Sequence, residues 1–211
     1  PSYQTILEAV TKQFNSGEGA IQFAPEAIAR SNADILNKDE LRKEFIEIYS
    51  EQGKDEAKNW INHNFGPFSN DELNHRMTRY GLNPCGEILG NDFHCNLAEV
   101  HLNQIDPNNL EEQKKAFKSA ALSVACLLNH KFEVERYRVS REFDPIVGVS
   151  FTGLFDFFVH AFGTSWLRWW EQGRPDTEEG KLFKERESKY LESWKIIVKE
   201  TVWDYCDKHN L

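Results

Sequence analysis

No stretch of the chain approaches the ~18 consecutive apolar residues that a membrane-spanning helix needs, and the opening residues do not run from positive charge into an apolar leader. The expectation is a cytoplasmic protein with no membrane contact. Basic residues are in deficit: 25 Lys and Arg stand against 34 Asp and Glu, a formal net charge of −9. That balance argues against a nucleic-acid partner, because a sequence-independent phosphate surface needs clustered cations. Cysteine is scarce, with four residues at no framework spacing, which points to a reducing compartment rather than a stapled secreted fold. Neither Cys-x-x-Cys nor His-Glu-x-x-His spacing occurs, so no metal site is expected even where His94 and His101 flank Cys95. Repeats, low-complexity segments and linkers are also missing, and the reading is a single α/β unit over residues 1–211. The first residue is Pro1, which fits either a processed chain or a fragment.

What is present suits a soluble fold: 40% hydrophobic and 28% charged residues over 211 positions, enough for one sizeable core or two small ones. Tyr3, Ile6, Leu7, Val10 and Phe14 recur at helical spacing and predict an amphipathic helix that stops near Gly17. Residues 15–37 read as loop with one brief helix. Asp39 to about Asn64 reads as a helix with a narrow stripe of Leu41, Phe45, Ile48 and Tyr49, broken by Phe65-Gly66-Pro67-Phe68. A short helix over 71–79 follows. Residues 95–102 alternate as a strand, Asp106–Asn109 form a turn and cap, and 110–129 form a helix along Leu110, Phe117, Ala121, Val124 and Leu128. Ile146–Phe151 is a β-branched run expected to be a buried strand, and Thr152-Gly153 turns it into an aromatic helix. The last helix carries Phe183, Tyr190, Trp194 and Val198 on one side. Strand–helix alternation favours a mainly parallel sheet. Trp166, Trp169 and Trp170 read as a packing face in preference to a stacking platform.

The chemistry concentrates in Gly81-Leu82-Asn83-Pro84-Cys85-Gly86-Glu87-Ile88. Pro84 disfavours helix, and in extended backbone Asn83, Cys85 and Glu87 would project to one side: an amide, a thiol and a carboxylate. Gly86 removes bulk between thiol and carboxylate. No cation stands within Asn83–Glu87, whereas a nucleophilic cysteine needs one to form its thiolate. A negative charge at Glu87 instead favours the protonated thiol, the form that can exchange a hydrogen atom.

The run Asn83–Ile88, followed by Phe93-His94-Cys95-Asn96-Leu97-Ala98-Glu99-Val100-His101-Leu102 and by Val147–Asp156, resembles the catalytic core of class II ribonucleotide reductases, the adenosylcobalamin-dependent enzymes. Ser16-Gly17-Glu18-Gly19-Ala20-Ile21 is a weaker echo of the stretch that precedes that core. The approach Phe93-His94-Cys95 is most similar to the monomeric triphosphate-reducing branch. The resemblance implies a central, helix-rich segment of a ten-stranded α/β barrel with the radical cysteine on an inner loop. It also implies that the first-half cysteine, the shuttle cysteines and most of the cobalamin surface belong to the remainder of the reductase chain, so that the segment alone is not expected to turn over.

Carried over residue by residue, the resemblance makes Cys85 the thiyl-radical cysteine that takes the 3′ hydrogen of the ribose. Glu87 becomes the base for the 3′ hydroxyl, a task that suits a partly buried carboxylate, and Asn83 the amide on the ribose hydroxyls. Cys95 becomes one member of the redox-active cysteine pair. The implied cofactor is adenosylcobalamin. The implied partners are a ribonucleotide substrate, a nucleotide effector and thioredoxin or another dithiol reductant. Cys126 and Cys206 fall on helical apolar faces and read as core residues. Two other functions compete: a thiol–disulfide oxidoreductase using Cys85 and Cys95, and a non-catalytic scaffold retaining part of the barrel.

Overall fold

The computed structural model describes residues 2–17, 21–83 and 85–211. The fold is mixed α/β and helix-rich, 66% helical with two small sheets, and no barrel closes among the described residues. Contacts divide the chain into two compact units, residues 1–93 and 94–211.

The first unit opens with α1 (Tyr3–Ser16), capped by the Ser2 hydroxyl, which accepts the Thr5 N–H at 3.2 Å. It ends at Gly17 as its periodicity predicts, yet it buries no residue, and Phe14 at its far end is 88% exposed. Of the Ser16–Ile21 stretch, residues 18–20 lie outside the described residues. The unit's core forms where α2 (Ala24–Ser31), α3 (Asp39–Gln52), α4 (Lys54–Phe65) and α5 (Asn70–Arg76) bury Ile28, Phe45, Ile61, Leu73 and Met77 together. The single helix expected over 39–64 is two helices, divided at Gly53, whose backbone is not helical. The break expected at Phe65–Phe68 is present. A hairpin of β1 (Gly81–Leu82) and β2 (Leu89–Gly90) completes the unit, antiparallel with Gly81 opposite Gly90.

The second unit is built on β3 (Asn96–His101) and β4 (Val147–Thr152), which pair in parallel from Asn96↔Val147 to His101↔Thr152. Parallel strands need a long crossover, and α6 (Leu110–Ala125) and α7 (Glu135–Phe143) lie in the connection. As the turn-and-cap reading predicts, the Asn109 side chain caps α6 by accepting the Glu112 N–H at 3.1 Å. The β-branched run that reads as a buried strand is half-buried along most of β4, because a two-stranded sheet covers it incompletely. Gly153 adopts a left-handed conformation (φ 73°), and a Cβ there would stand 2.9 Å from the Asn103 backbone nitrogen. Only glycine turns β4 into α8 (Leu154–Phe162) at this approach. After α9 (Thr164–Glu171), α10 (Glu178–His209) runs back across α6.

The second core is aromatic. Trp194 stacks on Phe117 at 4.9 Å and meets Phe157 edge-on at 5.2 Å. Its indole N–H donates to the Gln113 side chain at 3.1 Å, and Gln113 in turn donates to the Pro107 carbonyl at 2.9 Å. Trp166 and Trp169 are buried with Phe158 and Phe183, as a packing face requires, while Trp170 remains exposed.

In the first unit the fixed point is polar. Arg76 ends α5 at 8% exposure and pairs with Asp34 at 2.8 Å and Glu72 at 3.0 Å. Its Nη1 donates to the side-chain oxygen of fully buried Asn32, whose amide donates back to the Arg76 carbonyl. Burial alone would raise the Asp34 carboxyl, but the Arg76 hydrogen bond and charge, aided by Arg79, outweigh it and hold the group below its usual range. A carboxylate lowered on folding lends stability that is complete above its unfolded value, about 4, and is lost as pH falls through the lowered one. Asp34→Asn is therefore expected to flatten the part of the acid-denaturation curve below about pH 4, read by circular dichroism. Arg76→Met, which leaves Asn32 and two acids without their cation, should cost about 2–4 kcal/mol in urea unfolding; an unchanged midpoint would remove Arg76 from its structural role.

Candidate active site

The Cys85 segment lies between β1 and β2, and it is a turn rather than an extended strip. The Asn83 carbonyl accepts the Gly86 N–H at 2.9 Å, and Gly86 takes a positive φ of 76°. The alternation that would place Asn83, Cys85 and Glu87 on one strand face is therefore replaced by reversal of the chain. The physical reason is local: β1 and β2 are short, and their register leaves six residues, 83–88, to turn the chain between Leu82 and Leu89. Pro84 itself lies outside the described residues.

The reversal still brings two of the three groups together. Asn83 is 8% exposed, and its Nδ2 donates to Glu87 Oε1 at 2.5 Å while its Oδ1 accepts the Ile88 N–H at 3.1 Å. One amide thus holds both the carboxylate and the returning backbone. Cys85 and Glu87 are exposed, so the partial burial that would suit Glu87 as a base is not present within the described residues. The arrangement offers a carboxylate oriented by a hydrogen-bond donor, with a thiol on the same turn and open to solvent.

Cys95 lies in the second unit, exposed, one residue before β3. His94 precedes it and His101 ends the strand; among the described residues no three His, Cys, Asp or Glu side chains gather as a metal site would require. No disulfide forms among the described residues. Cys206 is half-buried in α10, but Cys126 is exposed, contrary to the core position its helical spacing suggests. It sits where α6 has given way to a 3₁₀ turn, and its Sγ donates to the Ser123 carbonyl at 3.0 Å. Sequence reasoning missed the dual use of Asn83 and the Asn32–Arg76 tie that anchors the helix before the hairpin. The only sequence signal for the first is the Asn-x-Cys-Gly-Glu spacing; the second has none, since its partners are 44 residues apart.

Comparison of the chain with protein families, with curated proteins and with solved structures returns no match.

Asn83→Ala deletes the side-chain bonds to Glu87 and to the Ile88 N–H. Backbone amide exchange at Gly86 and Ile88 is expected to rise about tenfold or more, the worth of one to two such hydrogen bonds, while exchange in α3 stays unchanged. Equal protection in both proteins would show that the amide does not hold the turn.

Proposed function

We propose that the chain is a segment of an adenosylcobalamin-dependent ribonucleotide reductase, acting on ribonucleoside triphosphates, and that it carries the radical cysteine. The observation that carries the reading is the Cys85 turn: an exposed thiol between an amide and a carboxylate that are hydrogen-bonded to each other. The exposed apolar side of α1 and the parallel sheet, two-stranded among the described residues, support a segment that other parts of a larger barrel complete.

In this reading Cys85, as a thiyl radical, takes the hydrogen atom from C3′ of the ribose and becomes a thiol. Glu87 accepts the 3′ hydroxyl proton, and the 2′ hydroxyl leaves as water. Two electrons and two protons come from a cysteine pair that closes to a disulfide, and Cys95 is one member. Cys85 then surrenders a hydrogen atom to C3′ and the radical is restored. Asn83, already bonded to Glu87, orients the carboxylate and offers its amide to the ribose hydroxyls. A dithiol such as thioredoxin reopens the disulfide, and a nucleotide effector governs substrate choice.

Adenosylcobalamin, when bound, would supply the unpaired electron. The described cavities lie along α6 and between β4 and α10, and none of their lining residues belongs to the Cys85 turn. These residues do not form a cradle for a corrin ring, so none is assigned to it and no step is routed through it.

The test is made in the full-length enzyme that contains the segment. Cys85→Ser should abolish deoxynucleotide formation while nucleotide binding is kept, because serine is nearly isosteric but its O–H bond is too strong for a hydrogen relay. Product above background would remove Cys85 from the role. Cys95→Ser should divide the reaction: tritium exchange at the substrate continues and net reduction stalls for want of electrons. Reduction at the wild-type rate with a dithiol reductant would make Cys95 a structural thiol.

A further inference from the structure

We infer that Phe132 and Tyr137 form a ring clamp on His94 that positions Cys95 for disulfide exchange. The inference deepens the proposed function and rests on Cys95 having the redox role assigned there.

The His94 ring stacks on Phe132 with centroids 4.3 Å apart and planes 28° from parallel, and it meets Tyr137 edge-on at 5.3 Å. Each aromatic partner is itself braced by a guanidinium. Arg141 lies 4.9 Å from the Phe132 centroid and donates to the Leu127 carbonyl at 2.9 Å. Arg136 lies 4.8 Å from the Tyr137 centroid and donates to its hydroxyl at 2.8 Å. On the other side of Cys95, Asn96 is fixed by the sheet. It pairs with Val147, its side chain donates to the Ile146 carbonyl at 3.2 Å, and its N–H donates to the His94 carbonyl at 3.1 Å. Cys95 is therefore bracketed by a residue held by rings and a residue held by strand pairing, while its own side chain stays exposed.

Nothing in a solvated loop requires two rings, each backed by a cation, around the residue before an exposed cysteine. Disulfide exchange does benefit. The incoming thiolate of a dithiol attacks one sulfur and the S–S bond breaks, releasing the other cysteine as a thiolate; the second thiol of the reductant then attacks the mixed disulfide, releases the remaining cysteine and closes the reductant to its own disulfide. Two electrons and two protons pass to the cysteine pair. Rate depends on which sulfur is reached and along which line. A fixed backbone at 94–96 presents the Cys95 sulfur in one orientation, whereas hydrogen-atom transfer at Cys85 makes no use of it. Phe132 and Tyr137 are positioning residues in this account, acting through His94.

The experiment compares Phe132→Leu and Phe132→Tyr in the full-length enzyme. Phe132→Leu should raise amide exchange at Cys95 and Asn96 roughly fivefold, about 1 kcal/mol of lost ring pairing. It should slow dithiothreitol reduction of the Cys95 disulfide by a similar factor. Tritium exchange at the substrate and the single-turnover yield of prereduced enzyme should not change, and Phe132→Tyr should restore both affected rates. Tyr137→Leu is expected to act in the same direction and replaces Phe132→Leu if that protein does not fold. Unchanged amide exchange, or an equal fall in the single-turnover rate, overturns the clamp. If wild-type enzyme shows no substrate exchange, the reductase reading fails, and amide exchange at Cys95 still decides whether the rings hold the backbone.

Discussion

Arg76 carries a guanidinium into the interior of residues 1–93, and a charge taken from water must be met by partners on each of its donors. Asp34, Glu72 and the Asn32 side chain meet it, and the Phe68 ring covers its face at 4.7 Å. Those partners come from the end of α2, the loop after it, α5 itself and the loop before α5. None of these segments is long, and an eight-residue helix such as α2 is marginal without tertiary contacts. Joining them through one cation fixes where α5 ends, and the hairpin with Cys85 leaves from that end. The position of the Cys85 turn thus depends on a polar tie set beside a core of Ile28, Phe45, Ile61, Leu73 and Met77.

The second unit solves the same problem with the charge reversed. Glu187 is buried on α10, where it accepts the Trp166 indole N–H at 2.7 Å and pairs with Arg174 at 2.5 Å. Arg174 lies over both Trp169 and Trp170. The indoles bring large apolar area to the core but each has an N–H that needs an acceptor. Glu187 satisfies one, the Pro175 carbonyl another and Gln113 a third. The aromatic core is therefore ordered in direction as well as packed.

Much of this is legible in the chain where periodicity is strong. The helix from Tyr3, the strand at 96–101, the Asn109 cap, the Thr152-Gly153 turn and the long final helix all follow from spacing or from residues with narrow conformational demands. The failures share a cause. The stripe that suggests one helix over 39–64 ends at Tyr49, and Gly53 divides the segment into two helices that share one core. Cys126 sits on the right helical face but at the turn where the helix loosens into solvent. A β-branched run reports what a strand could bury, not how many strands cover it, and β4 is half-buried along most of its length.

The Asn83–Glu87 segment shows the limit most clearly. Alternation predicts the wrong geometry there, since a turn places i and i+4 together where a strand would separate them. The amide that the turn needs for its own closure is the same amide that holds the carboxylate. A side chain with both a donor and an acceptor can do this, and aspartate, with acceptors alone, would meet Glu87 as a second negative charge. The bonding at position 83 therefore calls for a side chain with both a donor and an acceptor, as asparagine has. The thiol at Cys85, by contrast, is exposed, so burial in a core does not dictate its size or polarity.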